Sequence, residues 1–200
     1  SPTAPRAGED ALDEALALMA AYGPEYASGS LANHGPMAAD ALVSLGRADA
    51  VVPWVERYRT RLVPRPSGSR RITAQNFQEA LGQADRLGDW LVFFRREVSD
   101  APWRDVLATW IPRLAPGLVG VLFHGLIRVG HAARGLAARE NALRRNELAD
   151  GLAYWAAHSL PLPEKRSAAP RTRRPSLALG DVPRVGDADH VGGGRQRGRH

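Results

Sequence analysis

The sequence predicts an all-α fold, a bundle of about six to seven helices followed by a disordered C-terminal tail. Apolar residues recur at helical spacing between about residues 10 and 160, as Leu12, Ala15, Leu16 and Met19 do on one stripe. No stretch of convincing length alternates apolar and polar residues as a half-buried strand does. After Pro163 the apolar period ends and Arg, Gly, Pro and Asp dominate, a composition typical of disorder.

Turn and cap residues place the individual helices in order. Pro36 suits the first turn of the second helix, Gly46 is a natural stop behind it, and Asp49 can cap the third. The segments GPEYASGSLANH and VPRPSGSRR are loops by composition. We therefore predict helices over about residues 10–21, 36–45, 51–61, 75–98, 100–112, 117–138 and 141–158.

The charge of the chain is unevenly distributed between two predicted regions, a helical domain over residues 1–163 and a basic tail over residues 164–200. The tail holds nine Lys/Arg and four Asp/Glu, so the domain keeps only +1 of the total net charge of +6. A nearly neutral domain lacks the cationic surface that binds phosphates, so we expect no specific nucleic-acid binding. The tail itself is open to two interpretations, a flexible basic segment or an out-of-frame end of a longer protein.

Composition also bounds the compartment. Cysteine is absent, which excludes disulfides and thiolate metal sites and fits a reducing environment. The most apolar run, from Pro116 to Val129, is too short to span a bilayer and is interrupted by His124 and Arg128. The beginning of the sequence has no signal-peptide pattern. We therefore expect a cytoplasmic protein with no membrane partner.

Two histidines, His124 and His131, lie in an otherwise apolar and glycine-rich segment, FHGLIRVGHAAR. Seven residues make about two helical turns, so both rings project from one face, with Cα atoms roughly 10 Å apart. The glycines indicate close packing of helices or close approach of a ligand. The histidines could bond to neighbouring helices, or they could serve as metal ligands or general bases.

Other polar residues join this set as candidates. His34 precedes the second helix in ANHGP, where Asn33 or His34 could act as a cap or His34 could point into a site. Glu147 and Asp150 could orient a histidine, although a solvated helix face is the more ordinary interpretation. His158 lies at a helix end, where an imidazolium favours the helix dipole. Motifs for dinucleotides, P-loops, zinc peptidases and serine hydrolases are absent from the sequence.

Four segments together resemble the questin oxidase-like family: NHGPMAADALVSLGR, VVPWVERYRTRL, HGLIRVGHAARGL and NELADGLAYWAA. The resemblance covers roughly residues 10 to 163, and the order of the four is more specific than any one of them. Family members are much longer, so this chain is expected to correspond to the N-terminal half only, as a truncated form.

The resemblance implies an oxidoreductase of polyketide and anthraquinone metabolism, a monooxygenase of Baeyer–Villiger or ring-cleaving type. It implies O₂ as oxidant, NADPH in some members, and non-haem iron held by several histidines in some relatives. Carried over by motif, the metal ligands would be His34, His124 and His131, which position and spacing had also selected. The expected partner is a small aromatic substrate.

Two further hypotheses compete with the oxygenase. One is a truncated, non-catalytic helical relative whose histidines are structural. The other is an interaction protein in which the basic tail meets nucleic acid or acidic lipid.

Overall fold

The structure is a computed structural model that describes residues 4–27 and 31–161. In these ranges the chain forms eight α-helices: α1 Ala4–Met19, α2 Gly35–Ser44, α3 Ala48–Tyr58, α4 Phe77–Ala80, α5 Leu87–Asp100, α6 Trp103–Leu114, α7 His124–Ala138 and α8 Ala142–Ala157. Three short strands accompany them: β1 Tyr22–Tyr26, β2 Leu31–Ala32 and β3 Leu62–Pro64. The all-α prediction is confirmed, with one helix more than the upper predicted number.

The larger apolar core lies between α5, α6, α7 and α8. Every residue of α8 from Glu147 to Ala157 is buried, because α5 and α7 both pack against it. Large rings fill the core from the other side, with Trp90, Phe94 and Trp110 each 1% exposed or less. Small residues on α8 thus admit close neighbours, and aromatic residues on α5 and α6 fill the remaining space.

A second core holds α1, α2 and α3 together. The stripe predicted on α1, namely Leu12, Ala15, Leu16 and Met19, is buried throughout. Val51 and Val55 of α3, one turn apart, have no exposed surface and belong to the same cluster. The pattern of helical spacing therefore identified the buried face of α1 correctly.

The small antiparallel sheet, in the order β2-β1-β3, falls where the sequence predicted loops. Pairing joins Glu25 with Ala32 and Tyr26 with Leu62. Strands this short cannot display an alternating pattern, and β3 lies far from β1 in sequence, so periodicity could not reveal them. The sheet matters because β2 ends immediately before the turn that carries His34.

The prediction of a single helix over residues 75–98 is wrong, because the helix is interrupted between α4 and α5. Gly82 has a φ of 72°, in the left-handed region that favours glycine. Its N–H donates to the Ala156 carbonyl at 2.9 Å, and the Trp90 indole donates to the Ala80 carbonyl at 3.1 Å. One tertiary hydrogen bond to α8 and one between α5 and α4 thus replace the helical ones, and this accounts for the eighth helix.

The helix predicted from Gly117 begins only at His124. Two 3₁₀ turns, Ala115–Gly117 and Gly120–Phe123, precede it. Val121, Leu122 and Phe123 have φ of 44°, 53° and 64°, a left-handed conformation that is costly for a β-branched residue. This turn sets the direction in which α7 starts and places His124 at its first position.

Close packing of α7 on α8 explains two of the glycines. A Cβ on Gly125 would lie 2.6 Å from Trp155 Cβ, and one on Gly151 would lie 3.3 Å from the Val129 nitrogen. Gly130, by contrast, has nothing within 4 Å of such a Cβ. The prediction of close helix packing is confirmed at the His124 end of α7.

Among the described helices, none combines the length and apolar character that crossing a membrane requires. The predicted tail over residues 164–200 and the boundary at residue 163 lie outside the described residues, and both stay predictions.

Candidate active site

The turn between β2 and α2 consists of Asn33, His34 and Gly35. The buried Asn33 side chain donates to the Gly23 carbonyl at 3.1 Å and accepts the Gly35 N–H at 2.9 Å. A Cβ on Gly35 would overlap the Met19 sulfur, so glycine is required there. Asn33 satisfies the first amide of the helix and the His34 side chain makes no cap bond, so the imidazole of His34 is left for another role.

Tyr58 of α3 fixes the backbone of His34. The His34 N–H donates to the Tyr58 hydroxyl at 2.8 Å. The Tyr58 ring stacks on Tyr26 and on Trp54, with centroid separations of 5.0 and 4.7 Å. Burial raises the pKa of Tyr58, so its hydroxyl is neutral at physiological pH. Three stacked aromatic rings therefore lie beside the turn that carries His34.

His124 begins α7 and is oriented by the left-handed turn before it. Its Nδ1 lies 2.6 Å from the Val121 carbonyl oxygen. A carbonyl only accepts hydrogen bonds, so Nδ1 carries the proton in this contact. In the neutral ring, Nε2 then holds the free lone pair, which is the form a general base or a metal ligand needs.

The structure brings His34 and His124 together. Their ring centroids are 4.8 Å apart and the planes meet at 88°. Burial lowers the pKa of His34, and the adjacent His124 ring lowers it further, against a hydrogen bond to the Ala32 carbonyl. His34 is therefore neutral near pH 7, so the site offers an unprotonated imidazole.

A buried cation lies close to this pair. Arg128, one turn after His124 on α7, is 2% exposed and also contributes to lowering the pKa of His34. Its Nε and Nη2 donate to the two oxygens of Glu147 at 2.7 and 2.8 Å. Burial raises the pKa of Glu147, although Arg128 opposes that shift. The guanidinium thus places a fixed positive charge near a neutral imidazole.

His131 does not join the pair. Its Nδ1 lies 2.7 Å from Asp40 Oδ2 of α2, and Arg134 binds the same carboxylate oxygen. The contact links α2 to α7 through a side-chain hydrogen bond. His131 therefore lies at the interface of these two helices, two turns from His124.

The positions of the acidic and histidine side chains bear on a metal site. Within residues 4–27 and 31–161, no group of three or more His, Asp or Glu side chains is placed to hold a metal ion. His34 and His124 could supply two ligands, whereas His131 lies two turns further along α7, against Asp40 of α2. An iron ion shared by all three histidines does not fit this arrangement, and metal binding by the chain stays a prediction.

Sequence reasoning missed the buried charges of the site. Glu147 and Asp150 are buried, so the interpretation as a solvated face is wrong, and they contact arginines instead of histidines. Arg65 binds Asp150 through two hydrogen bonds of 2.8 Å, although 85 residues separate them. The apolar run around Arg128 was the available signal, because a charge there needs a buried partner.

Comparisons with known proteins agree with the four segments. A sequence model of a family described as questin oxidase-like matches residues 33–184. The match extends past Pro163, where the sequence analysis placed the end of the resemblance, and it begins later than residue 10. No curated protein and no solved structure matches the chain.

Proposed function

The chain belongs to the questin oxidase-like family, and on that premise we propose that it oxygenates an aromatic polyketide- or anthraquinone-like substrate at the His34–His124 pair. An oxidase or oxygenase type of activity follows from the family. The observation that supports this location is the contact of two imidazoles, with ring centroids 4.8 Å apart, beside the buried Arg128.

The overall reaction we propose is a Baeyer–Villiger oxygenation. A ketone, O₂, NADPH and a proton give an ester, water and NADP⁺. One oxygen atom enters between the carbonyl carbon and its neighbour, which breaks that carbon–carbon bond and forms two carbon–oxygen bonds. The O–O bond breaks, the other oxygen leaves as water, and the nicotinamide supplies the two electrons as hydride.

The described residues would contribute proton transfer to this reaction. Nε2 of His124, free because Nδ1–H donates to the Val121 carbonyl, accepts the proton of a phenol or enol hydroxyl. His34 has a lowered pKa and stays neutral beside His124, so the proton remains on His124. The Arg128 guanidinium favours the phenolate or enolate that forms.

Iron bound by the chain would supply a site for O₂ activation, and His34 and His124 are the residues that would hold it. The alternative is a non-catalytic relative whose histidines are structural. The contact between His131 and Asp40 favours that interpretation for His131 alone.

The test is O₂ uptake by the purified full chain with NADPH and a panel of hydroxyanthraquinones and aromatic ketones, with ¹⁸O₂ incorporation read by mass spectrometry. His34→Ala and His124→Ala should each lower the rate by about 100-fold or more, the usual loss for a general base. His131→Ala is the matched control and should retain the rate.

Two results would overturn the assignment: no O₂ uptake by the wild-type chain with any member of the panel, or full activity in His34→Ala. Metal analysis of the same preparations tests the iron prediction separately. Stoichiometric iron that disappears in His34→Ala would support it, and metal-free active protein would refute it.

A further inference from the structure

A small cleft lies beside the His34–His124 pair, between α1, α2, α5, α7 and α8. It leaves about 60 Å³ for water-sized groups. Its apolar lining comes from Leu16, Met19, Pro36 and Leu143, and its charged lining from Arg65, Arg95, Arg128, Glu147 and Asp150. Asn33, the residue before His34, also lines it. The cleft and the histidine pair are therefore neighbours that share Arg128 and the Asn33 turn.

Positive charge is in excess in this cleft. Three guanidinium groups line it and only two carboxylates do. Arg65 binds Asp150 at 2.8 Å through each of its two terminal nitrogens, and Arg128 binds Glu147 in the same two-pronged way. Arg95 reaches Asp150 at 3.4 Å, so one carboxylate serves two cations. One positive charge is left over, and a partly buried cation is costly without an anion.

Hydrogen-bond donors of the same arginines are unused. Among the described residues, Arg128 Nη1, Arg65 Nε and Arg95 Nε are buried and have no partner. Arg128 is 2% exposed, so its Nη1 has little access to bulk water. A buried donor without an acceptor destabilises the folded state, and all three donors belong to arginines that line this cleft, so an acceptor bound in it would have donors to meet.

The charge and the lining of the cleft favour one kind of acceptor. A single excess positive charge is matched by a monoanion, whereas a phosphate dianion would overcompensate it. The planar guanidinium groups suit a planar carboxylate. The apolar side formed by Leu16, Met19, Pro36 and Leu143 can receive the carbon skeleton that bears it.

We propose that this arginine cleft binds the carboxylate of an aromatic substrate and so holds that substrate beside the histidine pair. The aromatic character of this ligand rests on the proposed function, whereas its carboxylate is inferred from the cleft alone. Arg95 is the residue to vary, because its side chain is 36% exposed and its 3.4 Å hydrogen bond to Asp150 is longer than those of Arg65 to Asp150 and Arg128 to Glu147.

The test is calorimetric titration of the full chain with benzoate, with its neutral isostere benzamide, and with inorganic phosphate. Benzoate should bind at least tenfold more tightly than benzamide or phosphate. Arg95→Gln should remove the preference for benzoate. Arg96→Gln, which changes an exposed arginine next in sequence and outside the cleft, should preserve it.

Equal binding of benzoate and benzamide, no binding of either, or an undiminished preference in Arg95→Gln would overturn the proposal. Tighter binding of phosphate would also overturn it, in favour of a phosphate site. Circular dichroism of both variants checks the fold, and if Arg95→Gln fails to fold, Arg65→Gln takes its place with the same expected loss. Benzoate binding by a chain that consumes no O₂ would leave the cleft assigned and remove only the proposed oxygenation.

Discussion

The start and the middle of α7 carry a histidine on the same helix face and use it differently. At the first position, Nδ1 of His124 donates to a backbone carbonyl, and the ring meets His34 at a centroid distance of 4.8 Å. Two turns later, His131 binds the carboxylate of Asp40 at 2.7 Å. His124 keeps a free lone pair beside a second imidazole, whereas the ring of His131 takes part in a helix–helix contact.

The difference teaches that the neighbouring element, and not the spacing along α7, decides what each histidine does. The β2–α2 turn brings an uncharged imidazole to His124, whereas the body of α2 brings a carboxylate to His131. Helical rise alone already separates their Cα atoms by roughly 10 Å, which leaves room for two independent sites.

The largest expected effect comes from Arg128, the buried charge between His124 and His131 on α7. Glu147→Ala removes both hydrogen bonds from Arg128 Nε and Nη2 and leaves a guanidinium that is 2% exposed without its partner. We expect a loss of about 3–5 kcal/mol in the free energy of unfolding, measured by urea denaturation.

Glu147→Gln is the control for this substitution, because its amide oxygen still accepts one bond from Arg128. Its loss should be clearly smaller than that of Glu147→Ala. Equal stability of wild type and Glu147→Ala would mean that Arg128 is not held as described.

The next prediction separates the two histidine environments by stability alone. His131→Ala removes the Asp40 contact and should lower the free energy of unfolding by about 1–3 kcal/mol. His34→Ala keeps the backbone N–H bond to Tyr58 and should cost less than about 1 kcal/mol. Thermal denaturation compares the two, and the reverse order would contradict the assignment of His131 as structural.

Two glycines of α7 test how closely the start and the middle of this helix are packed. Gly125→Ala places a methyl group 2.6 Å from Trp155 Cβ and should destabilise the protein by about 1–3 kcal/mol. Gly130→Ala meets nothing within 4 Å and should stabilise it by about 0.5–1 kcal/mol through helix propensity. Denaturant midpoints of the two variants should move in opposite directions, and a shared direction would refute the close approach.

The smallest effect is a pH dependence. The folded pKa of His34 lies below its ordinary value of about 6.5, so the unfolded chain binds this proton at a higher pH than the folded chain. Stability is therefore full above about pH 6.5 and falls as the pH decreases from there. The drop in melting temperature between pH 7.5 and 5.5 should be smaller in His34→Asn than in wild type, and equal drops would contradict the shift.

Much of the fold was predictable because its signals are local. The stripe on α1 and the Pro36 and Gly46 boundaries of α2 each follow from residues a few positions apart. The break at Gly82 was not predictable, since it depends on a hydrogen bond to Ala156 across the molecule. The strands were missed because β2 has only two residues and β3 only three.

The site divides in the same way. His34 and His124 were both selected from the sequence, by the motifs that resemble the family and, for His34, by the turn that precedes α2. The pairing of His131 with Asp40 spans 91 residues and leaves no mark in the periodicity of either helix. Likewise, Arg128 could be recognised as an anomaly in an apolar run, but its partner Glu147 could not be chosen over other acidic residues.

The most direct measurement follows the ring of His34 by NMR as the pH changes, in wild type, His124→Asn and His131→Asn. The account predicts a pKa for His34 below about 6.5 in wild type, an upward shift in His124→Asn, and no shift in His131→Asn. A pKa that His124→Asn leaves unchanged, or that His131→Asn raises as much, would contradict a site made by His34 and His124 alone.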